Sequence, residues 1–118
     1  MRIELDIFSG RPNPSWKLTA TESVEFLRQL RTLPPDGSDR SIRDNLGYRG
    51  LIVTGDATVI NSFDSIIVSG GKVLGQSPQG SRSFVDKDRG LEQWLIHTGK
   101  AYLEPDIYNQ VVQEIQQP

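Results

Sequence analysis

The chain has 118 residues, 36% of them hydrophobic and 24% charged, and carries a net charge of −2. That length holds one domain, 1–118, around a single core, and interspersing 13 cationic with 15 anionic residues excludes the clustered basic surface that non-specific nucleic-acid binding needs. The absence of cysteine removes disulfides, thiolate metal sites, iron–sulfur clusters and cysteine nucleophiles; with no signal-peptide core in MRIELDIF and apolar runs of at most three residues, the expectation is a cytoplasmic protein without membrane spans.

Residues 2–8 alternate. Ile3, Leu5 and Ile7 share one side and Arg2, Glu4 and Asp6 the other, which predicts a half-buried strand. The stretch FSGRPNPSW, from Phe8 to Trp16, then breaks the periodicity, and its two prolines and glycine predict an end to ladder pairing. Thr19-Ala20-Thr21-Glu22 reads as a capping box. Phe26, Leu27, Leu30 and Leu33 follow at helical spacing, so a helix should run to about Leu33, where Pro34-Pro35 stops it.

Residues 34–45, PPDGSDRSIRDN, read as a mobile loop. A strand is predicted over about 47–54, and residues 56–64 are ambiguous. Phe63 to Gln76 reads as a hairpin turning at Ser69-Gly70-Gly71, because paired glycines supply the positive φ of a tight turn. QSPQGSRS, 76–83, reads as a second loop. Asp86 or Asp88 should cap a helix whose buried stripe is Leu91, Trp94 and Leu95, with Gly99 as its C′ residue. A last helix opens at Pro105 and carries the stripe Ile107, Tyr108, Val111, Val112 and Ile115. The fold class is therefore α+β: a small, mostly antiparallel sheet covered by about three helices, in the order β-loop-α-β-β-β-α-α.

No Walker loop, GxGxxG after a strand, HExxH or GxSxG is present, so neither cofactor nor metal is expected. The single histidine, His97, sits late in a helix, where it complements the dipole. Glu4 and Asp6 share a strand face about 7 Å apart, as paired catalytic carboxylates can. They also suit a solvated face or salt bridges to arginines. The opening loop is the strongest candidate for recognition. Arg11 offers a rigid fork for carboxylates, Asn13 is held extended by Pro14, and Trp16 is a residue type favoured at hot spots. The same features suit a loop folded onto its own core, with Arg11 paired to Asp6 or Asp88. Tyr48-Arg49, between Gly47 and Gly50, is a second candidate.

Three segments, DIFSGRPNPSWKLT, LGYRGLIV and DKDRGLEQWLIHTG, together resemble a group of small uncharacterised proteins of bacteria, including cyanobacteria, and of fungi. Their front follows FSGRPNP-x-W-x-L. The resemblance covers residues 6 to 99 and implies a shared fold, with no activity attached. It suggests that Asp6, Arg11, Arg49, Asp88 and Arg89 converge as a charged network bracing the loop on the sheet. The functional expectation is a non-enzymatic, assembly-factor or chaperone-like module that recognises another protein or a peptide tail, including by strand addition at a sheet edge. Its contacts would be Arg11, Asn13, Trp16, Tyr48 and Arg49. The rivals are a small hydrolase- or isomerase-like enzyme using Glu4 or Asp6 with an arginine, and a homodimer joined through the last helix.

Overall fold

The computed structural model describes residues 1–8, 10–37, 48–55 and 63–116. It is α+β. Strands β1 (Arg2–Asp6), β2 (Ser15–Lys17), β3 (Gly50–Thr54), β4 (Ser65–Ser69), β5 (Lys72–Ser77) and β6 (Gly80–Val85) form one sheet in the order β2-β1-β3-β4-β5-β6. Every pairing is antiparallel. Helices α1 (Ala20–Thr32), α2 (Gly90–Thr98) and α3 (Pro105–Gln116) complete the domain, with 3-10 turns at Lys87–Arg89 and Lys100–Tyr102. Among the described residues no helix is long and apolar enough to cross a membrane.

Alternation builds a two-layer core. Ile3 and Leu5 of β1, Leu51 and Val53 of β3, Ile66 and Val68 of β4 and Val73 of β5 all point to one side and are buried. There they meet Phe26 and Leu30 of α1, Leu91, Leu95 and Ile96 of α2, and Tyr108, Val111 and Ile115 of α3. Helix α2 packs on β3 and β4, and α1 and α3 pack against α2. Of the α3 stripe, Tyr108, Val111 and Ile115 are therefore buried within their own chain, and Ile107 and Val112 are half-buried beside them. Gly70 and Gly71 turn the β4–β5 hairpin at φ of 60° and 85°, as the paired glycines predict.

Capping follows the sequence closely at α1. The Thr19 hydroxyl accepts from Glu22 N at 3.1 Å, and the Glu22 carboxylate accepts from Thr19 N at 2.9 Å. At α2 the cap is Asp86, whose carboxylate accepts from Leu91 N at 2.8 Å and Glu92 N at 3.0 Å. Asp88 is exposed and instead takes a left-handed backbone, as does Arg89, at φ of 57° and 56°. Two successive non-glycine residues in that region carry strain of order 1 kcal/mol each.

Three expectations need correction. Ladder pairing does not end at the opening loop: the chain returns as β2, with Ile3 opposite Trp16 and Glu4 opposite Ser15. Leu5 N donates to Pro14 O at 2.9 Å, because a proline that cannot donate still accepts. Residues 76–83 are not a loop but the end of β5, a turn, and β6, whose polar sequence suits a sheet edge. The segment after α1 is held on that edge through Asp36. Val85 N donates to Pro34 O at 2.8 Å and Asp36 N to Ser83 O at 2.9 Å. The rest of the predicted loop, 38–45, and most of the ambiguous stretch, 56–62, lie outside the described residues, as does Gly47.

Candidate functional site

The opening loop connects β1 to β2, and Asn13 organises it. Its side-chain carbonyl accepts from Ile7 N at 3.1 Å and Phe8 N at 2.8 Å. Its amide donates to Glu4 Oε2 at 3.1 Å and, at a longer 3.4 Å, to Asp6 Oδ1. One short side chain thus satisfies two backbone donors and ties two carboxylates. From β3's side, Arg49 donates to Asp6 Oδ1 through Nη2 at 2.8 Å and Nε at 3.2 Å, and to Phe8 O at 3.1 Å. Glu4, Asp6, Asn13 and Arg49 are all half-buried. Arg11 joins neither Asp6 nor Asp88. It is exposed, with its guanidinium carbon 3.7 Å from the centroid of the Phe8 ring.

Trp16 points the other way. It retains only 4% of its exposure, and its indole Nε1 donates to Thr98 Oγ1 at 2.9 Å. The ring lies over Gly99, where an added Cβ would fall 2.5 Å from ring carbon. Gly99 has an ordinary φ of −93°. The glycine is therefore needed for close approach rather than for the left-handed C′ geometry the sequence suggests.

Tyr48 also points inward. Its hydroxyl donates to Glu92 Oε2, and Glu92 has no exposed surface. Arg89 holds the same carboxylate with both arms of its fork, Nε to Oε1 and Nη2 to Oε2, each at 2.8 Å. Gly70 N donates to Oε1 at 3.1 Å, and Arg89 Nη1 reaches Glu114 O in α3 at 3.4 Å. Burial first, and the Glu92 charge second, push the Tyr48 phenol above its ordinary value. Burial likewise raises the Asp86 carboxyl, against two backbone N–H groups that pull it down.

The expected single network is thus two separate clusters. Asp6 and Arg49 belong to one and Arg89 to the other, while the side chains of Arg11 and Asp88 belong to neither. Of the expected contact residues, Trp16 and Tyr48 are core, Asn13 and Arg49 are bracing, and Arg11 is displayed. Glu92 was overlooked in the sequence. Its signals were an acid one residue from the apolar stripe of α2 and its place in the DKDRGLEQWLIHTG segment that carries the resemblance. Among the described residues, no three of His, Asp and Glu converge as a metal centre.

One further feature emerges from the register. On the sheet face opposite the helices, Glu4 lies across from Ile52, Ile52 from Ile67, and Ile67 from Leu74. These three aliphatic side chains are half-buried and do not belong to the core cluster. They form an apolar row across β3, β4 and β5, ending at the loop's Glu4–Asn13 pair.

No known protein family, curated protein or solved structure matches the chain.

Proposed function

We propose that the chain is a non-enzymatic protein-recognition module whose working surface is the sheet face opposite the helices. The observation that carries this is the cross-strand row Ile52–Ile67–Leu74, aliphatic and only half-buried where alternation would ordinarily put polar residues. Arg11, exposed on Phe8, remains a candidate contact from the loop.

An open face fits better than an open edge. Flanking β2, the backbone groups of Pro14 and Leu18 engage β1 and its N-terminal neighbour Met1, so within β2 only Ser15 and Lys17 turn theirs outward. At β6, Val85 N and Ser83 O are already engaged by residues 34–36. Short, charged or covered edges are how sheets resist strand addition. The enzymatic alternative at Glu4 and Asp6 has less support, since both carboxylates are engaged in holding Asn13. On this reading FSGRPNP-x-W-x-L is a signature of sheet bracing, and the small bacterial and fungal proteins that carry it share a fold.

The test is differential capture from native lysate with wild type, Ile52→Ser/Ile67→Ser, and Val24→Ser as a control for an exposed apolar residue on α1. Circular dichroism establishes that each is folded. The expected result is a partner retained by Val24→Ser and lost by the sheet-face variant. Equal recovery by all three would remove the sheet face from the reading.

A further inference from the structure

We draw no further inference here: the strongest candidate, the aliphatic row Ile52–Ile67–Leu74 on the sheet face opposite the helices, belongs to the surface already described, and nothing in the structure shows what covers it.

Discussion

Tyr48 and Arg49 are neighbours in the chain and end in opposite environments. Extended backbone turns consecutive side chains to opposite faces of a sheet. Tyr48 therefore enters the closed cluster around Glu92, while Arg49 enters the half-open cluster around Asp6 and Asn13. In the closed cluster one carboxylate with no exposure collects donors from the approach to β3, the β4–β5 turn and the turn before α2. In the half-open cluster, Asn13 holds Glu4 and Asp6 and Arg49 holds Asp6, and water can still reach both carboxylates. The difference teaches where charge is structural. A buried charge must be saturated by its own chain, whereas a half-exposed one can hold a loop and still face a partner.

The largest effect should come from Glu92→Ala. It leaves Arg89 and Tyr48 facing an apolar gap, and urea unfolding should register a loss of about 3–5 kcal/mol. A loss below 1 kcal/mol would mean that the closed cluster is not what holds α2 to the sheet. Tyr48→Phe tests the same cluster by pH. It removes one hydrogen bond to a charged group, about 1.5–3 kcal/mol at neutral pH. The folded phenol stays protonated above its ordinary 10.0, so the unfolded chain loses that proton first. Tyr48's contribution is therefore fully present below pH 10 and declines as pH rises beyond it. Relative to wild type, the variant should lose less stability between pH 10 and 11.

Gly99→Ala drives a methyl into the Trp16 ring and should cost about 1–3 kcal/mol through overpacking. If it costs nothing, Trp16 has room to move and the inner half of the opening loop is looser than its burial implies. In the half-open cluster, Asn13→Ala strips the acceptor from Ile7 N and Phe8 N. Water can replace part of it, so about 1 kcal/mol is expected, at the low end for an unsatisfied donor. Parity with Glu92→Ala would erase the distinction between the clusters. Arg11→Ala should be the smallest change, within about 0.5 kcal/mol, because its guanidinium is exposed and stacks only on Phe8.

Much of the scaffold was legible in order along the chain. The capping box at Thr19, the double-glycine turn and the stripe of α3 are local signals, fixed by residues within a few positions of one another. Strands β2 and β6 were not legible. SWK is too short for periodicity, and GSRSFV is polar because it forms a sheet edge. The site divided in the same way. Arg11, Asn13 and Trp16 were marked out by their residue types, but nothing local said that Trp16 turns inward and Arg11 outward.

By itself the sequence determined the α+β class, where α1 and α3 begin, and which apolar residues line the elements whose periodicity it carries. Those properties follow from periodicity and capping, which act over a few residues. Only the tertiary structure decided that Asp6 pairs with Arg49 rather than Arg11, that Glu92 is buried, and that Ile52, Ile67 and Leu74 share a row away from the core. The first and last depend on strand register between distant segments, and the second on how α2 packs against the approach to β3. A shift of one residue in that register would exchange the two faces of the sheet and carry Asp6 and the aliphatic row to the core side.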